Sequence, residues 1–169
     1  MVEKFNYYLI TLFTFGNLTE KHKGTWASLL TTFFLFSLIY FFNVPILIIT
    51  ITLLIIFVYS FFAIKSCLVK FENDDPQEIV IDEFIGQSIP IILYEIFHTD
   101  RSNTLTENLQ NYFWFFLLFR LFDGLKPFPI DYIDKKFKNE FGIMFDDILA
   151  GIYVVLCLVL FMVGKSYYF

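Results

Sequence analysis

Histidine and cysteine are nearly missing from this 169-residue chain. The two cysteines, Cys67 and Cys157, stand singly in apolar stretches with no Cys-x-x-Cys or zinc-ligand spacing; they read as buried space-fillers. Neither belongs to a cysteine phosphatase loop with its following arginine. The two histidines, His22 and His98, are far apart in sequence, which argues against a histidine-based phosphatase. His98, beside Asp100 and Arg101, reads as a solvated loop residue. The Asp-x-Asp signature of haloacid-dehalogenase phosphatases is also absent. Basic charge is scarce: 12 Lys and Arg stand against 17 Asp and Glu, a net charge of −5. With no basic run or stripe, a nucleic-acid partner is not expected. No small-residue cleavage site follows the apolar run in Met1–Phe15, so no signal peptide is expected.

Apolar residues are abundant. They make up 57% of the chain and aromatics 22%, with a mean hydropathy of +0.66. Soluble domains are usually about 45–50% apolar, so this chain is too apolar for an ordinary soluble domain, and residues 1–169 suit a single domain with membrane segments. Three firm spans are predicted: Trp26–Phe42, Ile46–Ile64 and Ile148–Val163. The first two are joined by Asn43-Val44-Pro45 and read as a tight helical hairpin. Two shorter apolar runs, Phe84–Phe97 and Leu109–Phe122, fit short spans, re-entrant pieces or buried helices, because a helix apolar all round shows no periodicity. Lys21 and Lys23, Lys65 and Lys70, and Lys126, Lys135, Lys136 and Lys138 fall on one face if both pairs of segments go out and back. The positive-inside bias makes that face cytosolic.

Three polar islands interrupt the apolar pattern: Val80–Gly86, Arg120–Pro127 and Gly142–Ile148. They carry Asp82, Glu83, Asp123, Asp146 and Asp147, each flanked by large apolar residues. A carboxylate in low dielectric is costly unless paired or bound to a cation. The same topology brings all of these acids to the lysine-bearing face. Hard oxygen ligands suit Mg²⁺, which takes one or two carboxylates and leaves positions for water and phosphate. On this reading the acids hold metal, while Arg120 and Lys126 neutralise a phosphoryl group. Simple interfacial pairing with Arg120, Lys126 and the lysines at 135–138 is the bland alternative. Pro127 pushes Lys126 out of helical geometry, letting it point back along the helix carrying Asp123. Thr25 can cap the first span, and with Lys23 it offers an anion site at a helix N-terminus; capping alone also explains it. Gly86 and Gly151 each lie four residues beyond an acid, where a small residue lets a neighbouring helix approach.

The segments Ile81-Asp82-Glu83-Phe84-Ile85-Gly86, Phe119 through Ile130 and Gly142 through Gly151 closely resemble the bacterial phosphatidylglycerophosphatase A family. Order and spacing match from about Gly16 to about Gly164. The resemblance implies an all-helical, multi-pass protein of the bacterial inner membrane. It also implies Mg²⁺-dependent removal of the terminal phosphate of an anionic phospholipid, phosphatidylglycerophosphate. In the first loop, Leu18–Lys23 has no proline, and Ala27 replaces the second glycine of a Gly-Thr-x-Gly-Ser segment. Two other readings compete. A CDP-alcohol phosphotransferase also clusters aspartates, but Lys126-Pro127 stands where its Ala-Arg pair belongs. An ion carrier would place its acids near helix midpoints. Homo-oligomerisation is left open.

Overall fold

The computed structural model describes residues 2–15, 22–69, 71, 76–98 and 103–168, with side chains up to 164. Lys21, Lys70, Asp100, Arg101 and the divergent stretch 18–21 lie outside these residues. The elements among the described residues are all helices joined by turns, without strands: α1 (Val2–Ile10), α2 (Lys23–Phe36, continued by a π-helical turn Ser37–Phe41), α3 (Ile46–Leu68), α4 (Ile81–Phe97), α5 (Leu105–Leu125), α6 (Ile130–Lys136) and α7 (Glu140–Tyr168). Among the described residues, three stretches are long and apolar enough to cross a membrane: Lys23–Phe41, Ile46–Leu68 and Glu140–Gly164. The protein is an all-α membrane bundle.

Local chemistry sets the helix ends. Asn43 takes a left-handed conformation (φ 50°) and Pro45 caps α3 in extended geometry, which turns the chain between α2 and α3; the expected tight hairpin is not formed, because each of the two helices packs on α4 rather than along the other. Thr104 and Glu107 form a reciprocal capping box at the start of α5. Lys126, forced out of the helix by Pro127, closes α5 in the left-handed region. Asn139 Oδ1 accepts from the N–H groups of Phe141 and Gly142, both at 3.1 Å, and so begins α7. The last span therefore starts at Glu140 rather than Ile148, and Asp146 and Asp147 lie within the helix rather than before it.

The two shorter apolar runs are neither re-entrant nor fragmentary. α4 has 17 residues and α5 has 21, roughly 25 and 31 Å at about 1.5 Å per residue. α4 is the central helix; its most extensive partner is α7, and it also packs on α2, α3 and α5. One apolar cluster, with Leu35, Phe36, Ile91, Tyr112, Phe115 and Val154, fills the half of the bundle near the α2–α3 turn. A second, with Ile10, Ile64, Ile81, Phe84, Ile143 and Met144, fills the other half. The outer face of α3 exposes Leu47, Ile51, Ile55, Val58 and Phe62, as a surface solvated by lipid should. At the other end of α4, His98 is not a solvated loop residue. Its ring stacks on Tyr94 at 4.8 Å, and Nε2 lies 3.1 Å from Asn103 Nδ2.

Candidate active site

α4 and α7 are held unusually close by a backbone arrangement that reads directly from sequence. Pro90 has no N–H, so the carbonyl of Gly86 loses its helical donor. That carbonyl faces Gly151 of α7, where a Cβ would collide with it. Conversely, a Cβ on Gly86 would lie 2.6 Å from the Asp147 carbonyl oxygen and 2.9 Å from the Phe119 ring. Neither glycine can carry a side chain while the helices keep this spacing, and the spacing brings Asp147 to Asp82 and Glu83.

Asp82 and Glu83 occupy the first turn of α4, where the helix dipole favours negative charge. With Asp147 they offer carboxylate oxygens that all lie within 4.8 Å of one another. Asp82 is 8% and Asp147 4% exposed. Asp82 Oδ1, Glu83 Oε2 and Asp147 Oδ1 are buried without any hydrogen-bond donor. Three acids facing each other without donors are electrostatically untenable unless protons or a cation intervene. The donor set, all hard oxygen, fits Mg²⁺.

Asp123, in the last turn of α5, lies near enough for its charge to act on both Glu83 and Asp147. Arg120 Nη1 is 2.7 Å from Asp123 Oδ2, yet this nitrogen makes no directed hydrogen bond. The contact is a charge pair that leaves a buried guanidinium donor unspent. Gly24 lets α2 join the same site: a Cβ there would strike the Glu83 carboxylate and lie 3.2 Å from Arg120 Nη1.

Asp146 points elsewhere. Lys126 Nζ contacts its Oδ2 at 2.9 Å and Asp134 Oδ2 at 3.2 Å. Lys126 therefore does not reach back toward Asp123; two carboxylates compete for it from α6 and α7. Burial works against its charge, but Asp146 and Asp134 outweigh that and raise its pKa. Burial would raise Asp134, yet Lys126 and Lys138 hold it below the usual carboxylate range.

The first loop departs from expectation. The helix begins at Lys23, with left-handed His22 as a cap that makes no side-chain bond, so Thr25 lies inside the first turn and does not cap it. Lys23 is engaged by Glu78 at 2.8 Å, so it is not a free anion-binding ammonium. Sequence reasoning also passed over Gln87, fully buried on α4 with neither amide atom partnered. Its signal was a polar residue four positions after Glu83, on the same helical face.

The sequence model of the family described as phosphatidylglycerophosphatase A matches residues 8–162. The chain belongs to the phosphatidylglycerophosphatase A family. A phosphatidylglycerophosphatase A of Haemophilus influenzae is 38% identical over 143 residues, covering 84% of this chain and 80% of that protein. The Escherichia coli phosphatidylglycerophosphatase A is 36% identical over a shorter match, 46% of this chain and 40% of that protein. A Bacteroides thetaiotaomicron protein named as a putative phosphatidylinositol-3-phosphatase is 30% identical over 62% of this chain and 60% of its own. No solved structure matches the chain.

Proposed function

We propose that this protein is a membrane-embedded phosphatidylglycerophosphatase, hydrolysing the terminal phosphate of phosphatidylglycerophosphate to leave phosphatidylglycerol. Membership of the family supports the activity. The observation that carries the site is the group of buried, donor-less carboxylate oxygens on Asp82, Glu83 and Asp147.

The residues divide by their surroundings. Asp82, Glu83 and Asp147 are the metal ligands, with Asp123 completing the acidic wall. Bound Mg²⁺ would polarise the phosphoryl oxygens and lower the pKa of a bound water. Arg120 holds the phosphate with its unspent guanidinium donor while Asp123 fixes its position. Lys126 orients Asp146 and adds positive potential at the rim rather than gripping the phosphoryl group alone. Lys23 holds the α2 N-terminus to Glu78 and so keeps Gly24 against Glu83. The site lies at the helix ends that carry Lys23, Lys65 and Lys126, so the lysine bias supports a cytosolic-facing site in the bacterial inner membrane. Phosphate could then be removed at head-group depth while the acyl chains stay in the bilayer.

The test is phosphate release by the purified protein in detergent, with phosphatidylglycerol identified by mass spectrometry. Activity should appear with Mg²⁺ and vanish with EDTA. The Bacteroides relative motivates phosphatidylinositol 3-phosphate as a competing substrate in the same assay. Preferential hydrolysis of that lipid would move the function to phosphoinositides and leave the metal chemistry intact.

A further inference from the structure

A cavity of about 280 Å³ lies between α3, α4 and α7. Leu53 and Phe57 of α3, Ile85, Ile89 and Ile92 of α4, and Ile148 of α7 form its walls. Two hydroxyl-bearing residues also border it, Thr50 and Ser88. Both are turned back on their own helices: Thr50 Oγ1 donates to the Ile46 carbonyl at 2.8 Å, and Ser88 Oγ to that of Phe84 at 2.6 Å. The cavity thus presents almost nothing but carbon. An ion or a polar head group would find no partner in it.

Its position is as informative as its lining. Ile85 lies one turn beyond Asp82 on α4, and Ile148 directly follows Asp147 on α7. The cavity's lining therefore begins within one helical turn of the carboxylate-bearing residues. From Ile85 to Leu93 it follows α4 for roughly 12 Å, at about 1.5 Å per residue. Leu54, another lining residue, is 56% exposed on the outer face of α3, so the cavity meets the lipid-facing surface.

We propose that this cavity is a binding groove for one acyl chain of the lipid whose phosphate is cleaved at the carboxylates, an inference that rests on the phosphatase reading. A chain gains little by leaving bulk lipid for a wall of Leu and Ile, because both are equally apolar. The groove's contribution is therefore positional. It fixes where the head group hangs relative to Asp82, Glu83 and Asp147, and small displacements at a reacting centre are costly in rate. Chain length then matters to turnover even though no chain atom reacts.

Two measurements on the full-length protein test this. In the first, a long-chain lipid phosphate carrying a photoreactive diazirine in its acyl chain is irradiated with the protein in nanodiscs, and labelled residues are mapped by mass spectrometry. Label should concentrate on Leu53, Phe57, Ile89 and Ile92, fall severalfold in Ser88→Leu, which fills the groove, and persist in Ile51→Phe, which alters the lipid face outside it. Even labelling of outward residues such as Ile48 and Ile55, indifferent to Ser88→Leu, would mean bulk lipid only and overturn the proposal. In the second, kcat/KM is compared for dipalmitoyl and dihexanoyl phosphatidylglycerophosphate. Ser88→Leu, and more mildly Ser88→Val, should lower the long-chain value about tenfold while sparing the short-chain value, which also reports correct folding. An equal fall for both lipids, with label still in the groove, overturns the positional role. If the wild-type protein releases no phosphate from any lipid, the phosphatase reading fails, and the labelling still decides whether a chain occupies the groove.

Discussion

The bundle places carboxylates between helices at both of its ends, and treats them in opposite ways. Near the α2–α3 turn, Glu95 Oε1 accepts from the hydroxyls of Tyr40 at 2.7 Å and Tyr112 at 2.9 Å. Around it, the Tyr94 hydroxyl accepts from Asn103 and Asn111 and donates to Asn108. At the opposite end, 13 residues earlier on the same helix and so roughly 20 Å away, Asp82 keeps a buried oxygen with no donor, as do Glu83 and Asp147. A carboxylate that serves the fold is given donors. One proposed to hold a ligand is left open for it. The acidic end leaves these oxygens without donors although cations are close: Lys126 is engaged by Asp146 and Asp134, and Arg120 pairs in charge with Asp123 while its Nη1 stays unspent.

This contrast breaks most sharply under charge removal. Asp82→Asn and Asp147→Asn should each lower phosphate release by roughly 10²-fold or more, the cost of losing a ligand to the proposed metal in the transition state. Thermal stability without metal should hold or rise, because an unpartnered buried charge disappears. Glu95→Ala should do the reverse. Two hydrogen bonds to a charged acceptor are lost, each worth about 1.5–3 kcal/mol, so the melting temperature falls while kcat stays near normal. Denaturation and phosphate-release assays on the same preparations check both halves.

Next in size is the helix contact. Gly86→Ala should cost about 1–3 kcal/mol by overpacking, and activity should fall with it, since the obstructing atoms belong to the Asp147 backbone and cannot move independently. Gly124→Ala serves as its control. Nothing lies within 4 Å of a Cβ there, and replacing a helical glycine should stabilise by up to about 1 kcal/mol. If both variants behave alike, the α4–α7 spacing does not define the site.

A smaller effect is expected at Gly24. Its neighbour is the end of the Glu83 side chain, which can yield. Gly24→Ala should therefore lower activity about tenfold by displacing a ligand, with little change in melting temperature and a raised Mg²⁺ requirement. An unchanged Mg²⁺ titration would separate α2 from the site.

The smallest effect concerns the Lys23–Glu78 pair. The hydrogen bond from Lys23 lowers the Glu78 pKa below its ordinary value of 4.5, against the effect of burial. A depressed acid stabilises the fold above its unfolded pKa and loses that contribution as pH falls through the folded value. Lys23→Met should thus lower the melting temperature slightly at neutral pH and not at all well below pH 4.5. Equal differences at both pH values would mean that packing, not charge, is responsible.

Sequence alone determined the class of the protein and singled out its acidic islands as the candidate site. Hydropathy over stretches near membrane length is a local sum, so the three spans and the Asn43–Pro45 turn between the first two are legible without tertiary information, but not that α2 and α3 pack on α4 rather than on each other. Acids flanked by Ile, Phe and Met are conspicuous for the same reason. What remained open was long-range. The extent of α4 and α5 could not be read from their apolar runs, because tertiary burial carries each helix through polar residues at its ends, such as Asp82, Glu83 and Asp123. Which cation serves which acid depended on the approach of α6, and so Lys126 meets Asp146 and Asp134 rather than lying along α5. The start of α2 at Lys23, which puts Thr25 inside the first turn rather than at the cap, could not be read from the local sequence, nor could the close approach of Gly24 to Glu83 and Arg120. Composition supplied the carboxylates; only the packing of α4 on α7, through Gly86 and Gly151, decided that three of them share one point without donors.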